Sequence, residues 1–173
     1  YLQALRQNSN TTILALLPGA LRKILFNRDL KPEDLDSVRL CICGGDYVPA
    51  DLFEKFREIT GIELTEQCGM TETGMYAINP PYGRKKPGSI GLPYYGVQLS
   101  IIDAKGRDVP WGESGEIAVR SPFAMDGYWN DTAATRRVMR DGWIRTGDIG
   151  RIDDDGYISL EGRKKDIIIH GGS

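Results

Sequence analysis

Residues 38–65, VRLCICGGDYVPADLFEKFREITGIELT, decide the fold class. The run Val38–Cys43 is apolar and stops at two glycines, as a buried strand does. Residues 49–59 then carry apolar side chains at helical spacing, and Ile62–Thr65 begins a second strand. Strand, helix and strand in this order predict a right-handed parallel unit whose ligands gather at the carboxyl ends of the strands.

The predicted secondary structure differs between the two sides of this segment. Pro18 precedes a short helical run over residues 20–25, so the alternation of helix and strand extends toward the N-terminus. From about residue 80 onward, prolines and glycines separate β-rich runs such as Val97–Ile102 and Glu116–Arg120. The sequence therefore predicts an α/β part, α+β overall, in which a parallel βαβ region is followed by an antiparallel, distorted β-barrel.

The last part of the chain is rich in turn residues. Residues 132–139 are predicted to form one helix, and Asp153–Gly156 has the composition of a tight hairpin turn. After that helix, Gly142, Gly147, Gly150 and Gly156 are predicted to break the chain repeatedly.

Composition excludes several classes of protein. The 173 residues include 22 basic and 24 acidic side chains, for a net charge of -2, so no broad basic surface favours nucleic acid. No apolar run approaches the roughly 20 residues that cross a bilayer. Three cysteines and no secretory signal favour reduced thiols and a cytoplasmic location. We expect small-molecule substrates, no nucleic-acid partner and no transmembrane segment, while oligomeric state is not readable.

The segment Gln67–Gly74 is the first candidate site, because it sets a glycine, a hydroxyl and a carboxylate close together. Gly69 would let the backbone approach a phosphate, the Thr71 hydroxyl could donate to a phosphate oxygen, and Glu72 could hold Mg²⁺. A Thr-Glu pair before glycine is by itself more often a helix cap or a turn.

Three further segments strengthen the nucleotide interpretation. Asp148, between two glycines, could accept hydrogen bonds from both hydroxyls of a ribose, although an isolated turn aspartate would satisfy its own backbone. The loop Gly44–Asp46 suits close passage of a flat ring, or is a plain turn. Arg163 could reach ribose or phosphate, or belong to solvated surface charge.

The order and joint presence of these segments resemble the adenylate-forming superfamily of acyl- and aryl-CoA synthetases, luciferases and peptide-synthetase adenylation domains. The resemblance covers nearly the whole chain. The matching segments are Gly69-Met70-Thr71-Glu72, Gly115-Glu116-Ile117-Ala118-Val119, Gly127-Tyr128-Trp129, Asp141-Gly142-Trp143, Arg145-Thr146-Gly147-Asp148 and Gly162-Arg163 through Gly171.

The resemblance implies a role for individual residues. Thr71 and Glu72 would serve catalysis, Thr71 at the α-phosphate and Glu72 as the Mg²⁺ ligand, and Lys165 would be the hinge of a C-terminal domain. The ATP or AMP site would comprise Gly44, Gly45 and Asp46 at the adenine, then Cys68, Gly69, Met70, Thr71, Asp148 at the ribose, and Arg163. Cys68 departs from the family pattern, because an adenine-stacking aromatic residue is usual there. Losing a stacked ring removes roughly 1–3 kcal/mol of base binding.

The resemblance further implies an AMP-forming carboxylate:CoA ligase that uses ATP and CoA as co-substrates and Mg²⁺ as a cofactor. Residues 165–172 resemble the hinge of CoA ligases more than that of domains that load a carrier protein. A medium- or long-chain fatty acid is the favoured carboxylic acid, and an aryl acid or a carrier-loading adenylation domain is the alternative.

The chain opens at Tyr1 without methionine and stops at Ser173, which favours an internal segment of a longer protein. By resemblance, a phosphate loop would precede it and a catalytic lysine would follow it, so we expect the isolated chain to be inactive. The predicted domains are residues 1–79, an α/β part, residues 80–162, a β-rich part, and residues 163–173, the hinge.

Overall fold

The computed structural model describes residues 1–86 and 88–164. Two compact units make up the chain. Of the described residues, the first comprises 1–68 and 79–85, and the second comprises 69–78, 86 and 88–164.

The first unit is built around parallel strands, as the sequence predicts. Strand β2 lies between β1 and β3, with Ile13 opposite Leu40 and Ile42 opposite Thr65. Helix α3 connects β2 to β3 and supplies the crossover that parallel strands require. In chain order the elements are α1 (Leu2–Gln7), β1 (Ile13–Leu16), α2 (Pro18–Leu25), a 3₁₀ helix (Pro32–Leu35), β2 (Leu40–Gly44), α3 (Ala50–Thr60) and β3 (Thr65–Met70), of which the last two residues belong to the second unit.

One hydrophobic core holds the first unit together. Leu52 and Phe56 of α3 are completely buried, and so are Cys41 and Cys43 of β2. Burial raises the pKa of both thiols to about 12, so they are protonated at neutral pH. These cysteines therefore act as small apolar side chains. Helix α3 ends where Gly61 takes a left-handed conformation with φ of 70°, which favours glycine.

The predicted start of the second strand is wrong. Pairing with β2 begins at Thr65, not at Ile62, and the strand continues to Met70. Residues 62–64 connect the helix cap at Gly61 to Thr65, which lies opposite Ile42 of β2. Gln67–Met70, predicted to follow the strand, thus lie within it.

The second unit is antiparallel and carries one curled half-barrel, which confirms the predicted fold class. Its main sheet has the order β10-β9-β7-β6, with β8 paired to β9, while β4 pairs with β5. In chain order its elements are β4 (Gly74–Ile78), β5 (Leu92–Pro93), β6 (Gln98–Ile102), β7 (Gly115–Arg120), α4 (Thr132–Val138), β8 (Met139–Arg140), β9 (Trp143–Ile152) and β10 (Ile158–Arg163).

The prediction that glycines break the chain after α4 is wrong for Gly147 and Gly150, because both lie inside β9. A Cβ at Gly150 would stand 2.4 Å from the Ser159 carbonyl oxygen, so glycine permits the close approach of β10. Gly147 has a φ of 75° and lies where the register between β7 and β9 shifts. The glycines thus accommodate an irregular strand instead of ending it.

Two local predictions near the end of the chain are confirmed. Helix α4 begins after Asp131, whose carboxylate accepts the Ala134 N–H at 2.7 Å. The turn after β9 is closed by the Gly156 N–H, which donates to the Asp153 carbonyl oxygen at 2.8 Å. Within residues 1–86 and 88–164, no helix has both the length and the apolar character needed to span a membrane.

We expect Gly44→Ala to destabilise the protein by about 2 kcal/mol, because a Cβ there would lie 2.1 Å from the Gln67 carbonyl oxygen and push β3 away from β2. Gly19→Ala is the matched control, since a Cβ at Gly19 meets nothing within 4 Å and the residue is helical. That control should be neutral or stabilising by up to about 1 kcal/mol. Urea unfolding measures both, and equal stability of the two variants would contradict the close β2–β3 contact.

Candidate functional site

A cavity of about 390 Å³ opens in the second unit. This is within the usual range for small-molecule sites, roughly 300–1,000 Å³. One carboxylate and three cationic side chains contribute to its wall, so it suits a polar ligand. The lining residues are Met70, Glu72, Tyr128, Val138, Ile144, Arg145, Thr146, Gly147, Arg163 and Lys164.

Glu72 lies in the turn between β3 and β4 and is fixed by one loop. Its Oε1 accepts a hydrogen bond from the Tyr128 hydroxyl at 2.8 Å, and its carbonyl oxygen accepts one from the Met125 N–H at 2.9 Å. The hydrogen bond to Glu72 raises the pKa of Tyr128, which keeps the phenol protonated as a donor. Residues 125–128 therefore hold both the backbone and the side chain of Glu72.

The ligands available at Glu72 suit Mg²⁺ better than a metal ion that is coordinated only by protein side chains. Among the residues that the structure describes, no group of three or more acidic, histidine or cysteine side chains could hold a metal. Mg²⁺ commonly takes one or two protein carboxylates and completes its shell with water and substrate phosphates. A single anchored carboxylate at the cavity wall meets that requirement only when a phosphate ligand shares the ion.

Asp148 has a buried carboxylate with two side-chain partners, and its backbone N–H is also hydrogen-bonded. Strand β9 alternates buried and half-buried residues, which places Asp148 on the buried face. Its Oδ2 accepts the Tyr76 hydroxyl at 3.0 Å, and its Oδ1 lies 2.8 Å from Arg163 Nε. Its N–H donates to Thr146 Oγ1 at 3.0 Å. Asp148 is thus part of a strand and not the turn aspartate that its flanking glycines also allowed.

Glu116 forms a second buried ion cluster next to the cavity. Its Oε2 accepts Arg145 Nε at 2.9 Å and Lys164 Nζ at 3.0 Å. Burial alone would raise the pKa of Glu116, but the hydrogen bonds from Arg145 and Lys164 outweigh it and hold that pKa below its ordinary value. The Lys164 N–H also donates to the Gly147 carbonyl oxygen at 2.8 Å, so the end of β10 is fixed at two points.

The structure brings most of the predicted site residues into one unit. Met70, Glu72 and Arg163 line the cavity, and Asp148 lies behind Arg163 without lining it. The second unit holds Gly69, Met70, Thr71, Glu72, Asp148 and Arg163, whereas Gly44, Gly45, Asp46 and Cys68 belong to the first. Lys165 lies outside the described residues.

Two of the predicted site glycines have a structural explanation of their own. A Cβ at Gly69 would stand 2.6 Å from Met75 Sδ and 2.7 Å from the Gly74 carbonyl oxygen. At Gly44 the Gln67 carbonyl oxygen would be closer still. Glycine at both positions is therefore required by neighbouring protein atoms, whatever ligand approaches.

Several residues that matter for this geometry were not predicted as site residues, among them Tyr76, Glu116, Tyr128, Arg145 and Lys164. All of these except Tyr76 stood in the motif segments, which was the only available signal for them. Tyr76 stands in an apolar strand, where a tyrosine is usually part of the core. Its contact with Asp148 joins residues 72 positions apart, and no local pattern reveals such a pair.

Comparison with known proteins gives a consistent set of matches. Residues 2–129 match the family model described as AMP-binding enzyme. The chain is 39% identical over 163 residues to a long-chain-fatty-acid–CoA ligase of Bacillus subtilis (strain 168), covering 91% of the chain and 29% of the relative. It is 36% identical over 168 residues to a feruloyl-CoA synthase of Amycolatopsis sp, covering 96% of the chain and 34% of the relative.

The fold also matches solved structures. The ATP-bound crystal structure of MatB from Rhodopseudomonas palustris superposes with a TM-score of 0.91 at 35% identity, covering 99% of the chain and 34% of that protein. The chain therefore spans about a third of the length of these relatives.

We expect Glu116→Gln to lower the free energy of unfolding at pH 7 by about 1–2 kcal/mol. This is less than for a fully buried ion pair, because both cationic partners are partly exposed to solvent. The lowered pKa of Glu116 means that its stabilisation is present above the ordinary glutamate pKa of about 4.3 and is lost as the pH falls through the folded value. The difference between the parent and Glu116→Gln should therefore shrink on acidification. Urea unfolding from pH 7 to pH 3 measures it.

Glu113→Gln, in which the altered side chain is exposed, is the matched control and should show no such pH-dependent difference. A constant difference for Glu116→Gln at every pH would contradict the ion cluster.

Proposed function

Because the chain belongs to the AMP-binding enzyme family, we propose that the protein containing it activates a carboxylic acid with ATP and then transfers the acyl group to the thiol of CoA. The proposal covers a protein longer than this chain, since the relatives are about three times its length.

The observation that carries the proposal is the arrangement around the cavity of the second unit. An anchored carboxylate, Glu72, lies on the wall, and a buried carboxylate, Asp148, lies behind Arg163. The two are suited to different parts of one nucleotide, since the first can share Mg²⁺ with phosphate oxygens and the second can accept hydrogen bonds from ribose hydroxyls. The relative whose structure is described as ATP-bound supports the choice of nucleotide.

The first proposed half-reaction is adenylation. A carboxylate oxygen of the acid attacks the α-phosphorus of ATP, the bond from that phosphorus to the bridging oxygen breaks, and pyrophosphate leaves. Thr71 is exposed in the turn beside Glu72 and could donate its hydroxyl to an α-phosphate oxygen. Glu72 would hold Mg²⁺, which supplies charge stabilisation to the phosphate oxygens when bound. Arg145 and Lys164 add cationic side chains to the same wall.

The second proposed half-reaction forms the thioester. The CoA sulfur attacks the acyl carbon, the thiol proton is released, and AMP leaves with the electron pair of the broken carbon–oxygen bond. The hinge role of Lys165 and the adenine contacts of Gly44, Gly45, Asp46 and Cys68 stay predictions from the family resemblance.

For the acid itself we propose a medium- or long-chain fatty acid. The fatty-acid ligase of Bacillus subtilis supports this choice, and the feruloyl-CoA synthase of Amycolatopsis supports an aryl acid as the alternative. ATP–pyrophosphate exchange by the full-length protein over fatty, aryl and amino acids, followed by a thioester assay with CoA, tests both. Exchange with amino acids only, and no CoA product, would favour a carrier-loading domain instead.

We expect Asp148→Ala in the full-length protein to raise the ATP concentration for half-maximal exchange about 10- to 100-fold, because two hydrogen bonds to ribose are lost. The exchange assay at saturating acid measures it. Asp154→Asn removes an exposed carboxylate of the β9–β10 turn and is the control.

Asp148→Asn keeps the size of the buried side chain and replaces Asp148→Ala in the exchange assay if the alanine variant unfolds. An unchanged ATP dependence in a folded variant would remove Asp148 from the nucleotide site.

Glu72→Gln should raise the Mg²⁺ concentration for half-maximal exchange by about tenfold, since a neutral amide replaces the anionic ligand. Titration of Mg²⁺ at fixed total ATP measures this change. Glu113→Gln is again the control, because it removes one exposed charge from the same unit. An equal shift in both variants would mean that general electrostatics, and not metal ligation, explains the effect.

A further inference from the structure

Tyr76 is the largest fully buried side chain of the described residues, and its hydroxyl reaches a charged group. It lies on β4, where its carbonyl oxygen accepts the Tyr94 N–H at 2.9 Å. Its hydroxyl donates to Asp148 Oδ2 at 3.0 Å. A buried phenol needs a hydrogen-bond partner, and donation to a carboxylate is stronger than donation to a neutral acceptor.

Asp148 receives two donors that differ greatly in exposure. The Tyr76 side chain has no exposed surface, whereas 49% of the Arg163 side chain is exposed and it lines the cavity. A half-exposed ion pair is weakened by water and salt, and its long side chain moves readily. Tyr76 is therefore the firmer of the two constraints on the carboxylate.

Among the described residues, the contacts of Asp148 leave an acceptor position for a ligand on each oxygen. A carboxylate has about four acceptor positions, two on each oxygen. Tyr76 donates to one of them on Oδ2, and Arg163 forms an ion pair with Oδ1 at 2.8 Å. A ligand with two adjacent hydroxyls could use the other two, provided that the plane of the carboxylate stays fixed. Only 8% of the Asp148 side chain is exposed, and its partner Arg163 lines the cavity, so a ligand that reaches the carboxylate from the cavity would compete with the contact to Arg163.

We propose that Tyr76 is a positioning residue whose hydroxyl, donated from the protein interior, keeps the Asp148 carboxylate oriented for the 2′- and 3′-hydroxyls of a nucleotide ribose while Arg163 moves. This inference rests on the proposed function, because it takes Asp148 as the ribose acceptor. It assigns a role in nucleotide binding to a residue of the apolar strand β4.

Tyr76→Phe in the full-length protein tests the inference, because it removes the hydroxyl and keeps the ring that fills the core. Calorimetric titration with ATP and with 2′,3′-dideoxy-ATP, both with Mg²⁺, gives the preference for the ribose diol. We expect Tyr76→Phe to weaken ATP binding about tenfold and to change dideoxy-ATP binding by less than about twofold.

Tyr157→Phe is the matched control. Tyr157 is another buried tyrosine of the second unit, and its hydroxyl is not among the donors to Asp148. It should keep the full preference for ATP over dideoxy-ATP, and thermal unfolding of both variants shows whether either is destabilised.

A double variant separates positioning from a structural effect. If Tyr76 acts through Asp148, adding Tyr76→Phe to Asp148→Asn should cause no further loss of ATP affinity. Equal weakening of ATP and dideoxy-ATP by Tyr76→Phe, or a preference that it leaves unchanged, would overturn the role of Tyr76 alone. A parent protein that binds the two nucleotides equally would overturn the ribose assignment of Asp148 and this inference with it.

Discussion

The burial of the Asp148 carboxylate is the constraint on which the second unit depends. Strand β9 alternates over ten residues, and this alternation turns a charged side chain toward the interior. A buried charge is costly unless hydrogen bonds and opposite charge compensate for it. Tyr76 from β4 and Arg163 from β10 supply both. One carboxylate thus fixes the relative positions of three strands, and the same contacts define the site next to the cavity.

Glu116 on β7, the strand next to β9, is a second buried carboxylate whose charge is compensated by cations. Its contacts reach the residue that follows β10, the last strand of the sheet. Its single oxygen Oε2 accepts hydrogen bonds from Arg145 and Lys164, so it neutralises cations from β9 and from the residue that follows β10. Because Lys164 is also held through its backbone N–H, the path of the chain is set up to residue 164. In the proposed enzyme, the segment that leads to the hinge therefore starts from a fixed point.

Much of the fold could be predicted from sequence because its signals are local. The helical spacing of Leu52 and Phe56 predicted α3, and the glycine pair Gly44-Gly45 marked the end of β2, whose last residue is Gly44. Strand β9 could not be recognised, because its glycines resemble turn signals when the β10 backbone that passes close to Gly150 is unknown. At the site, Glu72 and Asp148 stood in recognisable motifs. Tyr76 did not, since only a contact across 72 residues gives it a role.

The balance of charge around the cavity bears on the form of nucleotide that it can take. Within the described residues, three cationic side chains line the cavity, namely those of Arg145, Arg163 and Lys164. Glu72 lines it as well, whereas Asp148 and Glu116 do not line it but pair with these cations. Two of the three carboxylates are committed to ion pairs, so little positive charge is left to receive a bare triphosphate. In the proposed enzyme, a divalent cation that arrives with the nucleotide would supply the missing charge, and Glu72 is the carboxylate with no cationic partner among these residues to share with it. As the proposed nucleotide site, the cavity would therefore favour a metal–nucleotide complex over the free nucleotide.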